Sequence, residues 1–293
     1  GGFANKANIR LFVRYVAHVV QTLHDLCDFW LTINEPNIYV TQGFVTGSYP
    51  PGEQNVPRAF RVLRNMIQAH VESFYAIRRV QPEGQIGYCL HYRLFDPANR
   101  LSFLDQGAAS LQNNFFNWAV LQAIETGQFP FPLHGLLDVI PHAVTTRDYH
   151  GINYYTRDMV RFDPTIPTEM FGRRFVRPGA VRNDPGLDNN FGEIYPLGIY
   201  RVLKSLYHRT RGNKPIYITE NGFSDAADTR RPRAILEHLA MIHRAIKEGI
   251  PVRGYMHWSL VDNFEWNDGW SARFGLVEVD PETRRRVPRP SAS

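Results

Sequence analysis

Stretches of helical periodicity alternate with short apolar runs along this chain, and that alternation limits its fold more than any other feature. Ile9, Phe12, Val13, Val16, Val20 and Leu23 recur at helical spacing, so residues 7–26 are expected to form an amphipathic helix. The run Phe29-Trp30-Leu31-Thr32-Ile33 follows as a strand. A second helix is predicted over 57–80, opened by Pro57, with Phe60, Leu63, Ile67, Val71 and Phe74 on one face. Ile86-Gly87-Tyr88-Cys89-Leu90 is the next strand, a helical region spans 102–126, and Gly151-Ile152-Asn153-Tyr154-Tyr155 is another strand. Pro196 opens a helix to Arg211, Ile216 to Thr219 is a strand, and 229–248 is a helix closed by Gly249. Val252 to Leu260 makes the last strand of the series. Residues 274–279 and 285–287 suggest a hairpin around Asp280-Pro281-Glu282-Thr283. The polar segment 157–192 has no assignable element.

Alternation of this kind implies a parallel sheet covered by helices. The chemistry-bearing residues stand at strand ends rather than in a glycine-rich first turn, which favours a (β/α)8 TIM barrel over a dinucleotide-binding fold. Neither GxGxxG nor GxxxxGK[ST] occurs. The buried-strand candidates are 29–33, 86–90, 150–154, 216–219 and 253–259, whereas a closed barrel needs eight strands. An open barrel would leave unpaired edges. The expectation is an incomplete α/β barrel holding about strands 4 to 8, a single partial domain over 1–293 without its N-terminal strands. Either the chain is a fragment or something else completes the sheet.

With 293 residues, 43% of them hydrophobic and 21% charged, the composition is that of a soluble globular domain. No apolar run approaches the roughly 20 residues that span a bilayer, so no membrane partner is expected. The start of the chain lacks a signal-peptide pattern, which fits a cytoplasmic location. Cys27 and Cys89 read as buried free thiols. The net charge of +5 comes with Arg173-Arg174, Arg230-Arg231-Arg233 and Arg284-Arg285-Arg286. These groups lie in loop-like stretches without interleaved aromatics, so they read as solvated surface, and no nucleic acid is expected. The eleven histidines include His18 and His24, six apart on a helix with Asp25 beside them. No HExxH or CxxC accompanies them, so they read as surface or capping residues, with no metal and no cofactor.

Two acids stand out. Thr219-Glu220-Asn221-Gly222 follows the apolar run Ile216-Tyr217-Ile218, and Asn34-Glu35-Pro36 follows Phe29 to Ile33. Each puts a carboxylate at the exit of a strand, with Asn beside it. Two carboxylates at the carboxyl ends of parallel strands are what two-carboxylate glycoside hydrolysis requires.

Four motifs in order carry a family resemblance: Thr32-Ile33-Asn34-Glu35-Pro36, Gly151-Ile152-Asn153-Tyr154-Tyr155, Ile218-Thr219-Glu220-Asn221-Gly222, and the stretch from Trp258-Ser259-Leu260 through Asp262-Asn263-Phe264-Glu265-Trp266. The chain resembles glycoside hydrolase family 1 over essentially its whole length. That family holds retaining β-glucosidases and their relatives on a (β/α)8 barrel. Against its pattern the chain begins just after the third barrel strand.

The resemblance implies Glu35 as general acid/base and Glu220 as nucleophile, about 5 Å apart in a retaining enzyme. Glu35 would be protonated for the first step, its pKa raised by the charge on Glu220, and would act as base in the second. Asn34 would hydrogen-bond the sugar 2-hydroxyl, Tyr155 would orient the nucleophile, and Asn153 would line the same pocket. Glu265 would accept from two sugar hydroxyls, with Trp258 and Trp266 offering flat apolar faces. Asp262 reads as a buried acid outside the chemistry. Asn263-Phe264-Glu265-Trp266 stands where phosphosugar-specific relatives carry a Ser- and Lys-containing site, so a β-glycoside with a neutral glucosyl or galactosyl glycone is the expected small-molecule substrate. Relatives often have Trp before Glu-Ile-Tyr-Pro, where this chain has Phe191-Gly192, which should reshape the aglycone side. The family's N-terminal strands bring a Gln, a His-Trp pair and an Arg to the site. Without them, an inactive fragment or a carbohydrate-binding scaffold of the same fold is the alternative.

Overall fold

The computed structural model describes residues 2–130, 139–183 and 192–293. The helices are α1 (Asn8–Leu23), α2 (Pro36–Val40), α3 (Val56–Val80), α4 (Phe103–Asn113), α5 (Ala119–Thr126), α6 (Pro196–Thr210) and α7 (Arg231–Lys247). The strands are β1 (Phe29–Asn34), β2 (Gln85–Pro97), β3 (Tyr149–Phe162), β4 (Gly172–Phe175), β5 (Ile216–Glu220), β6 (Val252–Tyr255), β7 (Val277–Val279) and β8 (Arg286–Pro288). The main sheet has the order β1-β2-β3-β5-β6, with β4 pairing β3 off that path. The pairs β1–β2 and β5–β6 run parallel. Contacts divide the chain into two compact units, one of Gly1–His91 with Asn114–Gly151 and one of Tyr92–Asn113 with Ile152–Ser293.

In the first unit the sequence periodicity becomes packing. Val16 and Val20 of α1 pack on Phe74 and Ile77 of α3 and on Ile86 of β2. Each such side chain, once buried, stabilises the unit by about 1.5–3 kcal/mol. The chain enters α3 through Asn55, whose side-chain oxygen accepts the Arg58 N–H at 3.0 Å, a cap worth about 1 kcal/mol. His70 of α3 is buried and hydrogen-bonded to Thr32 of β1 through Nδ1 at 2.7 Å. Burial holds its imidazole down to about 4.

In the second unit, Ile199, Val202, Leu203 and Leu206 of α6 and Ile242 and Ala245 of α7 are buried. A buried ionic network lies beside them. Arg157 makes a bidentate pair with Glu193, and Arg201 makes one with Asp96. The carboxyl-terminal hairpin β7–β8 is antiparallel, and Arg289 just after it makes a bidentate pair with Asp262 at 3.0 and 2.9 Å.

Several sequence expectations need correction. β2 and β3 run further than their short apolar cores, and β4 lies inside the unassigned polar segment. β6 ends at Tyr255 rather than Leu260 because the backbone turns away: Trp258 N–H donates to Asn221 and Ser259 N–H to Phe274. Arg231 is not solvated. It is wholly buried at the start of α7, paired with Asp228, and it donates to the Asp225 and Arg273 carbonyls at 2.7 Å. His70, His91, His150 and His238 are buried rather than surface residues. Cys27 is half-buried, Cys89 is buried, and both are free thiols. Phe191 lies outside the described residues. Among those described, no helix is long and apolar enough to cross a membrane.

Candidate active site

Glu35 follows the last residue of β1 in the first unit. Its N–H still reaches across to the Cys89 carbonyl of β2, at 3.1 Å. The backbone then turns through the left-handed region, with φ 45° at Glu35, and Pro36 starts α2. A non-glycine residue there costs on the order of 1 kcal/mol or more, a cost that survives where neighbouring bonds fix the turn. Here they do. The Glu35 carbonyl accepts from the N–H groups of Ile38 and Tyr39, at 3.0 and 3.1 Å. Asn37 continues the contact with β2 through its side chain, donating to the His91 carbonyl at 2.7 Å and accepting the His91 N–H at 3.3 Å.

These bonds set the Glu35 carboxyl beside His91, with Oε1 3.1 Å from Nδ1. Asn34 sits opposite Cys89 in the β1–β2 register, and the Cys89 thiol donates to its Oδ1. The amide of Asn34 therefore has its oxygen held towards the sheet.

Glu220 closes β5 in the second unit. Tyr155 of β3 donates its O–H to Glu220 Oε2 at 2.5 Å, the short distance of a charge-assisted bond. The Tyr155 ring is packed against Trp258, Ala272 and Phe274, so its aim is fixed by the core. Thr219 donates to Asn153 Oδ1 at 2.6 Å, which orients that buried amide. Asn221 is buried as well. It donates to the Tyr154 carbonyl at 2.7 Å and accepts from Tyr255 at 3.1 Å. Burial pushes the Tyr255 phenol up, so it stays a donor through the neutral range. Gly222 is required by close approach, since a Cβ there would overlap the Trp258 carbonyl.

The loop after β6 carries the remaining predicted residues. Glu265 accepts from Asn263 at 2.9 Å, while Trp266 is 71% exposed. Asp262 is the anchor of this loop. It accepts from Arg289, from the Gly275 N–H at 2.9 Å and from the Val279 N–H at 3.3 Å. Burial alone would raise its pKa, but Arg289 and the Gly275 amide outweigh that and hold it below the usual carboxylate range.

The structure thus brings Glu220, Tyr155, Asn153 and Trp258 into one neighbourhood of the second unit, and Asn34 and Glu35 into one neighbourhood of the first. Sequence reading missed His91, Asn37, Tyr255 and Thr219. Of these, Thr219 lies inside the motif that carries Glu220, and His91 stands two residues after Cys89 on the same strand, and so on the same face. Among the described residues, no group of three or more His, Cys, Asp or Glu side chains is placed to hold a metal ion.

Comparison with known proteins gives the family and the fold. The chain is 34% identical to the β-galactosidase of Saccharolobus solfataricus over 299 residues, which cover 99% of this chain and 59% of that protein. It superposes on a β-glycosidase from Pyrococcus horikoshii with a TM-score of 0.88 at 33% identity, covering all of this chain and 65% of that one. A β-glucosidase from Thermotoga maritima in complex with deoxynojirimycin gives 0.88 at 30%, covering 99% and 67%. The chain thus spans about three fifths of the length of curated relatives such as the S. solfataricus protein. Its main sheet is that of an incomplete (β/α)8 barrel. The sequence profile of Glycosyl hydrolase family 1 matches residues 1–293, and the chain belongs to that family.

Proposed function

We propose that these residues form the catalytic apparatus of a retaining β-glycosidase acting on terminal β-glucosyl or β-galactosyl groups. The observation that carries the reading is the short Tyr155–Glu220 hydrogen bond at the end of β5, since it gives one carboxylate a fixed direction. Glu220 attacks the anomeric carbon while Glu35 protonates the departing oxygen, so the C1–O bond breaks as the C1–Glu220 ester forms. Water then attacks C1, Glu35 takes its proton, and the ester bond breaks to restore the Glu220 carboxylate. The two inversions return the sugar with its original anomeric configuration.

Asn34 is the donor for the 2-hydroxyl, a bond that strengthens as positive charge grows on the ring. Asn153 shares that wall. Glu265 receives hydroxyls at the far side of the sugar, and Trp258 and Trp266 supply apolar faces. The β-galactosidase and β-glucosidase names of the relatives support a neutral glycone.

Efficient turnover belongs to a form of the protein with all eight barrel strands. The 293-residue chain alone should hydrolyse an aryl β-glucoside poorly, and brisk turnover by it would contradict that part of the proposal. Whatever rate is measured should vanish in Glu220→Ala. Sugar binding that persists in that variant without any hydrolysis by the parent would instead indicate a carbohydrate-binding scaffold.

A further inference from the structure

His91 was not among the residues expected at the site, yet it is bonded to one of the two carboxylates. Resting on the glycosidase reading above, we propose that His91 is the positioning residue of the acid/base: its Nδ1–H holds Glu35 Oε1 in both half-reactions and assigns proton transfer to Oε2.

Three observations support a fixed partnership. The side chains are only 7% and 16% exposed, so the 3.1 Å bond is shielded from competing water. The backbone of His91 is pinned on both sides by Asn37, two residues beyond Glu35. The Phe116 ring meets the imidazole edge-on at 5.8 Å and 85°, which fixes the imidazole plane. The same Asn37 side chain also donates to the Phe116 carbonyl at 3.1 Å, so one amide ties together the three parts of this frame.

The chemistry follows from the donor and acceptor roles. An imidazole carrying a proton on Nδ1 donates to Glu35 Oε1. That oxygen accepts the bond whether Glu35 is a carboxylic acid or a carboxylate, and accepts it more strongly as a carboxylate. When the glycosidic bond breaks, the proton moves from Oε2 to the leaving oxygen and the carboxyl gains charge, so the His91 bond tightens in the transition state. When water attacks, Oε2 receives the proton while the His91 proton stays where it is. The bond should therefore matter most for substrates whose leaving group must be protonated.

The test uses two readouts. In a form carrying all eight strands, His91→Phe keeps a flat ring beside Phe116 and removes the donor. It should lower kcat/KM for an alkyl β-glucoside about tenfold or more, the loss of one hydrogen bond to a charged group. For 2,4-dinitrophenyl β-glucoside, whose leaving group departs unprotonated, the loss should stay under about threefold. His91→Asn places an N–H at the same position along the side chain and should restore most of the alkyl rate. Equal losses on the two substrates, or no rescue by Asn, would overturn the proposal.

The second readout needs no turnover. In ¹H–¹⁵N spectra of the 293-residue chain, a His91 Nδ1–H signal should be present and should move in Glu35→Gln. An Nδ1 without a proton, or a signal indifferent to Glu35→Gln, overturns the proposal even if every variant is inactive. Covalent labelling of the wild-type site by a fluorinated glycoside tests the glycosidase reading separately, so failure of one is distinguishable from failure of the other.

Discussion

Replacing Tyr155 by Phe removes a single O–H from the candidate site and leaves the rest of the side chain in place. The ring packs against Trp258, Ala272 and Phe274 through apolar atoms, and its edge-to-face contact with Phe274, with centroids 6.2 Å apart, is available to Phe as well. What is lost is the 2.5 Å bond to Glu220 Oε2. A hydrogen bond to a charged group contributes about 1.5–3 kcal/mol, or roughly ten- to 150-fold in a rate that depends on it. The dependence is greatest in the second half-reaction. There Glu220 leaves C1 and regains its charge, so a donor waiting at its oxygen stabilises the transition state more than the ester. Tyr155→Phe should therefore lengthen the lifetime of a 2-fluoroglycosyl intermediate on Glu220 by about tenfold or more, followed as return of activity after excess reagent is removed. Its thermal midpoint should stay close to that of the parent. An intermediate that decays at the parental rate or faster in a folded Tyr155→Phe protein would refute the reasoning.

Other consequences concern the frame around the site. Arg289→Met leaves Asp262 buried with its main cation removed and should cost about 3–5 kcal/mol in urea unfolding, while adding Asp262→Asn should recover much of that loss. Gly222→Ala forces a methyl into the Trp258 carbonyl, so it should lower stability by about 1–3 kcal/mol and reduce labelling of Glu220 in the same protein. His70 gives a pH dependence with a definite sign. Its folded-state pKa is depressed from 6.5 to about 4, so the unfolded chain takes up a proton first. Stability is fully present above pH 6.5, is lost as pH falls from 6.5 to about 4, and levels below that, with about 3 kcal/mol at stake. Urea midpoints measured across that window should fall less steeply in His70→Asn than in the parent, and equal slopes would remove His70 as the cause.

The fold was legible wherever one face of an element is apolar. The spacing of Val16 and Val20, and the place of Phe74 on the apolar face of its helix, anticipated the packing of α1 on α3, and the five short apolar runs became β1, β2, β3, β5 and β6. Strand lengths were less legible, because the far ends of β2 and β3 contain His91, Arg93, Asp96, Arg157 and Asp158, whose burial depends on ion pairs supplied by other segments. Arg231 shows the same limit. A cluster of arginines reads as surface until Asp228 and two backbone carbonyls are found around one of them. At the site, Glu35 and Glu220 could be singled out because a carboxylate at a strand exit is chemically pointed. Asn37 and Tyr255 could not, because their roles come from partners on other elements. Asn37 reaches across to β2 only because the chain turns at Glu35.

The central claim is that Glu220 is the nucleophile of a retaining glycosidase. The direct test is incubation with 2,4-dinitrophenyl 2-deoxy-2-fluoro-β-glucoside of a form carrying all eight barrel strands, followed by intact-mass and peptide analysis. One fluoroglycosyl group should appear, on the peptide containing Ile216 to Gly222, and it should be absent from Glu220→Gln. A label on any other carboxylate, or none on a folded protein that binds the sugar, would contradict the assignment.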